Sequence, residues 1–158
     1  MYDRYFNKLV AFAYGILRNQ AQAEDIAHDS FLSVLKNANQ FDDTKKFSTW
    51  MFTIVKNNCI NHINTNQRRK NIVENVFAND TTMQTHINYD KQLIQNKIAT
   101  IKNQMSDKDK LVYRLRIEQE LSIKEVAAIA NIPEGTVKSS IFYSLKKIAS
   151  QLKIYTNE

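Results

Sequence analysis

The chain has 158 residues, enough for one domain of ordinary size or two small ones. Its formal net charge of +6 and its pI near 9.4 suit a polyanionic partner such as nucleic acid. With only 2 Gly, 1 Pro and 1 Cys, the composition argues against β-sandwiches, dinucleotide-binding folds, glycine-rich phosphate loops, internal disulfides and cysteine-based zinc sites.

The N-terminal part of the chain first predicts two amphipathic helices. One is expected over residues 1–18, with an apolar stripe formed by Tyr2, Phe6, Leu9, Ala13, Ile16 and Leu17. The other is expected over residues 21–38, with these side chains turned inward: Ala23, Ile26, Ala27, Phe31, Val34 and Leu35. Its outer face is charged and consists of Glu24, Asp25, His28, Asp29 and Lys36. The acids lie near its N-terminus, where the helix dipole favours them.

A third helix is expected after a polar loop over residues 39–46, which carries one aromatic residue, Phe41. Ser48 is predicted to cap this helix, which would run to about Arg69. Its buried side would be formed by Trp50, Met51, Ile54, Val55, Cys59 and Ile63.

One face of the third helix is rich in amides, because Asn57, Asn61, Asn64 and Arg68 follow one another at helical spacing. Amide side chains pair with adenine edges and also suit unstacked bases. Neighbouring cations that would attract phosphates are Lys56, Arg69 and Lys70. The spacing alone also fits an ordinary surface face in an asparagine-rich chain, so both interpretations stay open.

The periodicity fades from Lys70 to about Asp90, which predicts a flexible linker. A helical pattern resumes over residues 91–104, and Ser106 is predicted to cap the helix that follows. No β pattern and no internal repeat is present. We therefore expect an all-α fold of two small helical domains. The three-helix N-terminal domain would span residues 1–70, the flexible linker residues 71–90 and the four-helix C-terminal domain residues 91–158.

The stretch from Leu121 to Leu152 predicts a helix-turn-helix. Ser122 and Glu125 form a capping box, Asn131 suits the positive φ of a tight corner, and Pro133 opens the second helix. That helix would bury Val137, Ile141, Leu145, Ile148 and Leu152. Its opposite side would present Lys138, Ser139, Phe142, Tyr143 and Lys146. The pattern indicates a helix that enters a DNA groove, the alternative being an ordinary helical hairpin at the edge of a bundle.

Catalytic chemistry is not indicated. The three histidines are far apart in sequence, and none stands in metal-ligand spacing with another His or Cys. His28 beside Asp25 and Asp29 is better explained by a solvated helix face than by an acid–base cluster. We expect no enzyme, no cofactor, no metal and no small-molecule substrate. Because no apolar run reaches membrane-spanning length and no signal-peptide pattern opens the chain, we expect a cytoplasmic protein.

Four segments, in this order, together resemble the extracytoplasmic-function sigma factors of bacterial RNA polymerase. They are MYDRY with the apolar stripe that follows it, AEDIAHDSFLSVL at 23–35, FSTWMFTIVKNNCINHI at 47–63 and LSIKEVAAIANIPEGTVKSSI from Leu121. The resemblance implies a subunit that directs promoter recognition, DNA melting and transcription initiation. Its implied partners are core RNA polymerase, promoter DNA and an anti-sigma factor, commonly membrane-bound.

The resemblance also implies a role for individual residues. Contacts with core polymerase are expected from Glu24, Asp25, His28 and Asp29. Contacts with the minus-ten element, including the pocket for a flipped base, are expected from Phe41, Lys56, Asn57, Asn61, Asn64 and Arg68. Contacts with the minus-thirty-five duplex are expected from Thr136, Lys138, Ser139, Ser140, Phe142, Tyr143 and Lys146.

The chain departs from the family pattern at several of these positions. Asn61 and Asn64 replace the usual Asp and Arg, and Ser140, Tyr143 and Leu145 stand where arginines are common. Fewer cations release fewer counterions, so we expect a flatter salt dependence and promoter choice based on amide and aromatic contacts. The main alternative function is a stand-alone helix-turn-helix regulator. A conventional repressor would need dimer symmetry, for which the sequence offers no heptad pattern.

Overall fold

The N-terminal domain of the computed structural model, which describes residues 2–72 and 98–153, consists of three helices. Helix α1 spans Tyr2–Leu17, α2 spans Gln20–Lys36 and α3 spans Phe47–Ile72, with a 3-10 turn at Ala38–Gln40. Asn19 begins α2, because its side-chain oxygen accepts a hydrogen bond from the Gln22 N–H at 3.0 Å. The three predicted helices are therefore confirmed, with α2 displaced by one or two residues at each end.

The core of this domain lies where the three helices meet. Phe12 of α1 and Phe52 of α3 pack edge to face, with ring centroids 5.3 Å apart. Small residues on α2 let it approach α1 closely, and Ala23 and Ala27 are fully buried there. The expected inward position of Leu35 is wrong, since this side chain is 71% exposed. Val34 already fills the inward position of the last turn, and Leu35 is rotated about 100° from it.

The C-terminal domain begins, within the described residues, with helical backbone over 98–103, which we call α4. Helix α5 spans Asp107–Tyr113, a π-helical turn Arg114–Glu118, α6 Ile123–Ala130 and α7 Glu134–Lys153. Ser106 caps α5 as predicted, accepting a hydrogen bond from the Asp109 N–H at 3.1 Å. The predicted linker from residue 73 onward lies outside the described residues, as does the predicted helical segment over 91–97.

The helix-turn-helix forms as its local residue pattern predicts. The Ser122 hydroxyl accepts from the Glu125 N–H at 3.3 Å, and the Glu125 carboxylate accepts from the Ser122 N–H at 3.0 Å. Asn131 lies in the left-handed region at φ 55°, ψ 50°, which turns the chain between α6 and α7. The Pro133 carbonyl accepts the first hydrogen bonds of α7, from Thr136 and Val137.

The buried face of α7 differs from the predicted one. Val137, Ser140, Ser144 and Ile148 are buried, at spacings of three, four and four residues, whereas Leu145 is 44% exposed. The small serines fit this inward line, and the Ser140 hydroxyl donates to the Asp109 carboxylate of α5. Two predictions are therefore wrong: Leu145 does not belong to the core, and Ser140 does not face outward. The side chain of Leu152 lies outside the described residues.

The two domains are in direct contact. A single hydrophobic cluster extends from Leu9, Phe12 and Val55 of the N-terminal domain to Val126 and Ile129 of the C-terminal domain. Helices α3 and α6 form the largest part of this interface. Over the described ranges 2–72 and 98–153, no helix is both long and apolar enough to span a bilayer.

Candidate nucleic-acid interface

The amide face of α3 is open to solvent. Asn57, Asn61, Asn64 and Arg68 are all exposed along one side of the helix. Lys56 is different, because its ammonium group donates a 2.8 Å hydrogen bond to the Ile129 carbonyl of α6. The interface between the domains therefore engages Lys56, for which the family resemblance implies a contact with minus-ten DNA. The side chains of Arg69 and Lys70 lie outside the described part of the chain.

Phe41 lies at the end of the 3-10 turn and is half-buried in an aromatic cluster. Its ring centroid is 5.1 Å from that of Trp50 and 5.7 Å from that of Phe47. Trp50 thus packs as expected, and it also fixes the position of Phe41. Hydrogen bonds from Thr44, together with Lys45, hold the following loop and lower the pKa of Asp42. The aromatic cluster at Phe41 and these bonds to Asp42 therefore both hold the loop that precedes α3.

The outer face of α7 carries most of the residues predicted to contact the minus-thirty-five element. Lys138, Ser139 and Lys146 are exposed, and Thr136 is half-buried. Phe142 and Tyr143 are 61% and 66% exposed, and their rings form an edge-to-face pair with centroids 5.5 Å apart. Two adjacent aromatic rings exposed on one side of a helix form an apolar patch of the kind often found at interaction surfaces. Ser140 is excluded from this surface because it is only 5% exposed and bonds to α5.

The acidic face of α2 is exposed at Glu24, Asp25, His28 and Asp29. His28 is supported from below by the N-terminal turn of α1. Its ring centroid lies 4.6 Å from that of Phe6, and its Nδ1 lies 3.3 Å from the Tyr2 hydroxyl oxygen. No group of three or more potential metal ligands occurs within residues 2–72 and 98–153.

Two leucines beside this acidic face are exposed, which the residue pattern does not predict. Leu32 is 53% exposed and Leu35 is 71% exposed. Leu32 also lines a groove of about 490 Å³ between α2 and α3, together with Asp29 and Asn61. The only sequence signal for such a patch is a pair of apolar residues at the margin of the predicted stripe, and that signal is weak because most such residues are buried.

Glu125 connects the helix-turn-helix to the start of α3. Besides its capping bonds, its carboxylate accepts from the Ser48 hydroxyl at 2.8 Å and lies 3.4 Å from the Lys46 ammonium. Burial alone would raise the pKa of Glu125, but the hydrogen bonds from Ser122, Ser48 and Lys46 lower it to about 2. The predicted cap role of Ser48 is therefore wrong, since Ser48 lies inside α3 and bonds to the other domain.

Comparison with protein families divides the chain at the same place as its fold. Residues 1–69 match the family model described as sigma-70 region 2, and residues 95–148 match the one described as sigma-70 region 4. The first match covers α1 to α3, and the second covers the helix-turn-helix with α4 and α5.

Whole-length relatives give the same result. The chain is 30% identical to the ECF RNA polymerase sigma factor SigW of Bacillus subtilis, over 96% of this chain and 86% of that protein. It is 26% identical to the ECF RNA polymerase sigma-E factor of Haemophilus influenzae, over 96% of this chain and 85% of that protein.

Two solved structures share the fold. One is the sigma factor RpoE in complex with the anti-sigma factor NepR from Bartonella quintana, with a TM-score of 0.77 and 21% identity over 97% of this chain and 94% of that one. The other is CnrH in complex with the cytosolic domain of CnrY, with a TM-score of 0.68 and 16% identity over 97% of this chain and 85% of that one.

Proposed function

Because this chain belongs to the extracytoplasmic-function sigma factors of bacterial RNA polymerase, we propose that three of its exposed surfaces divide the work of initiation. As a member of that family it binds RNA polymerase and recognises promoters, and it is not an enzyme. The helix-turn-helix is the observation that supports this proposal most directly. The outer side of its second helix, including two aromatic rings, is exposed to solvent.

The polymerase-docking surface is the outer side of α2. It combines the exposed residues Glu24, Asp25, His28 and Asp29 with the exposed leucines 32 and 35. Apolar side chains surrounded by charged ones are typical of protein–protein contacts, in which a few buried anchors supply most of the affinity. The leucines are the anchors in this proposal, and the acids orient the partner.

The minus-ten surface is the amide face of α3 with the aromatic cluster at Phe41. A melted strand offers unpaired bases, which amides can hydrogen-bond and aromatic rings can stack. Asn57, Asn61, Asn64 and Arg68 are accessible for this purpose. Lys56 joins them only after its bond to the Ile129 carbonyl is broken.

The minus-thirty-five surface is the outer side of α7. It consists of Thr136, Lys138, Ser139, Phe142, Tyr143 and Lys146. With two lysines and no arginine in this set, readout of the duplex depends on aromatic and hydroxyl contacts more than on bidentate contacts to guanine.

The contact between the domains implies a closed state that must open on promoters. The two promoter elements are about 25 base pairs apart, which is roughly 85 Å at about 3.4 Å per base pair. Two small domains that share one hydrophobic cluster lie too close together to reach both elements at once. We therefore assign this conformation to the free factor, and an extended one to the factor on polymerase.

An anti-sigma factor fits the closed state as a partner. One of the solved structures with this fold is of a sigma factor in complex with an anti-sigma factor, and another is of CnrH in complex with the cytosolic domain of CnrY. A membrane-bound anti-sigma factor would place the present chain at the cytoplasmic side of the membrane, where RNA polymerase works. The docking surface on α2 and the outer side of α7 are the surfaces that such a partner would cover.

The test is transcription in vitro with purified core polymerase and a random promoter library. We expect transcripts from defined start sites only when the chain is present, and a strong loss of polymerase binding in Leu35→Ala. Ile117→Ala is the matched control, because Ile117 is also an exposed apolar residue (39%) but lies in the other domain. An obligate homodimer in gel filtration, without affinity for core polymerase, would instead support a stand-alone regulator.

A further inference from the structure

A cavity of about 630 Å³ lies between the two domains, bounded by α1 and α3 on one side and by α4 and α5 on the other. The charged residues that line it are mostly cations: Arg18, Lys56, Lys108, Lys110 and Arg114. Among the described residues that line the cavity, Asp107 is the only carboxylate, and it lies 3.5 Å from Lys110. The cavity therefore carries an excess of positive charge.

Arg18 occupies a backbone position that does not favour arginine. It follows the last residue of α1 with φ 58°, in the left-handed region that glycine and asparagine adopt most easily. Its side chain crosses to the C-terminal domain, where the guanidinium donates to the Asn103 side-chain oxygen at 3.2 Å. The side chain of Arg18, rather than its backbone, explains the presence of arginine here.

Arg114 faces Arg18 from the π-helical turn of the C-terminal domain. It is half-buried against α1, where a Cβ added to Gly15 would lie 2.6 Å from the Arg114 Nε. Burial and the nearby Arg18 lower the pKa of Arg114, against the opposing effect of Glu118 and Asp107. Over residues 2–72 and 98–153, no carboxylate lies within ion-pair distance of either arginine. Two like charges thus face each other across the interface, and among the described side chains neither forms a direct ion pair.

We infer that this cavity binds a small polyphosphate anion, a pyrophosphate group either free or carried by a nucleotide, between Arg18 of one domain and Arg114 of the other. Guanidinium groups bind phosphate oxygens in a two-pronged geometry, and Lys108 adds charge at the same cavity. The volume falls in the range of small-molecule sites, about 300–1,000 Å³. Ile16 and Leu111 provide an apolar wall on which a base could lie.

Such an anion would favour the closed conformation, because it interacts with both arginines only while the domains are in contact. In that conformation Lys56 remains bonded to Ile129. The anion would therefore reduce the fraction of the factor that can extend along a promoter. This regulatory consequence rests on the proposed function, whereas binding of the anion itself does not.

The experiment is titration calorimetry of the full-length chain at constant ionic strength, with pyrophosphate in one arm and ADP or GDP in the other. We expect one saturable site and at least tenfold weaker binding in Arg18→Gln and in Arg114→Gln. Arg4→Gln is the matched control, since Arg4 is an exposed arginine on α1 that does not line the cavity. Its affinity should equal that of the unchanged chain.

The variant Arg18→Gly tests whether loss of anion binding can occur without loss of stability. Glycine relieves the left-handed backbone at this position, so this variant should unfold at the same or a higher temperature and still lose the anion site. If a nucleotide binds much more tightly than pyrophosphate, the source is a nucleotide; similar affinities indicate free pyrophosphate. Absence of saturable binding up to millimolar pyrophosphate would overturn the proposal. The proposal would also be overturned if Arg4→Gln weakened pyrophosphate binding as much as the cavity variants do. It would be overturned as well if Arg18→Gln and Arg114→Gln weakened binding of duplex DNA but not of pyrophosphate.

Discussion

The carboxylate of Glu125 shows how one residue can serve two domains. It completes the capping box of α6 with Ser122 and also accepts from Ser48 at the start of α3. Burial opposes ionisation, but these hydrogen bonds lower the pKa of Glu125 from 4.5 to about 2. Since the folded pKa lies below the unfolded one, the resulting stability is complete above about pH 4.5 and is lost as the pH falls towards 2.

Replacing Glu125 by Gln should flatten the acid limb of the stability curve. We expect the loss of up to about 3 kcal/mol between pH 4.5 and 2 to shrink in the variant, because Gln can still cap the helix but does not titrate. Urea unfolding at several pH values measures this difference. Ser122→Ala and Ser48→Ala separate the cap from the contact between domains. An acid limb unchanged by Glu125→Gln would assign the acid sensitivity to other carboxylates.

Asn131 carries the sharp corner between α6 and α7 at φ 55°. Asn131→Ala should destabilise the chain by about 1–2 kcal/mol, because alanine is strained in the left-handed region. Asn131→Gly should leave stability within about 0.5 kcal/mol of its original value, since glycine adopts this conformation readily. Chemical denaturation measures both variants. Asn7→Ala in the middle of α1 is the control for an exposed asparagine, and a loss as large as that of Asn131→Ala there would contradict the explanation.

The two sides of helix α7 differ in the residues that they present. Its inward line contains two serines, Ser140 and Ser144, while Phe142, Tyr143 and Leu145 are exposed. Hydrophobicity alone would place the two serines in solvent and the three large apolar side chains in the core. The inward serines allow close approach to α5, and the Ser140 hydroxyl is satisfied by Asp109. The outward aromatics contribute little to the core, which is consistent with an interaction surface.

Phe142→Ala and Tyr143→Ala should weaken binding to promoter DNA without weakening the fold. Loss of a stacked or apolar contact costs about 1–3 kcal/mol, so we expect roughly a 5- to 150-fold loss of affinity for a minus-thirty-five duplex. Fluorescence anisotropy with polymerase holoenzyme measures the affinity, and thermal denaturation measures the fold. Tyr14→Ala on α1, which removes an aromatic ring that is 43% exposed, is the control. A large drop in melting temperature for the α7 variants would place these rings in the core instead.

For the whole molecule, the important feature is that two family domains share one hydrophobic cluster. Small helical domains are only marginally stable on their own, so burying surface between them stabilises both. The same contact engages Lys56, which belongs to the proposed minus-ten surface. In the proposed closed state, the contact that stabilises the free factor therefore also keeps Lys56 from promoter DNA.

Unfolding of the free factor should be a single cooperative transition in calorimetry, because the domains share a core. The double variant Ser48→Ala with Lys56→Ala removes two hydrogen bonds between the domains and should broaden or split that transition. Its radius of gyration in small-angle X-ray scattering should increase. Thr53→Ala, which removes a hydroxyl bond to Thr49 within α3, should do neither. Two separate transitions in the unchanged chain would contradict a shared core.

The residue pattern alone is enough to predict the helices, the capping box, the left-handed corner at Asn131 and the order of the two domains. These features depend on interactions between residues three or four positions apart, which periodicity and capping rules describe well. Helix packing, by contrast, decided that Ser48 bonds to Glu125, 77 residues away, and Lys56 to Ile129, 73 residues away. It likewise decided that Leu35 and Leu145 are exposed and that Arg18 meets Arg114. Such contacts depend on how finished helices pack, and no local pattern in the chain encodes that packing.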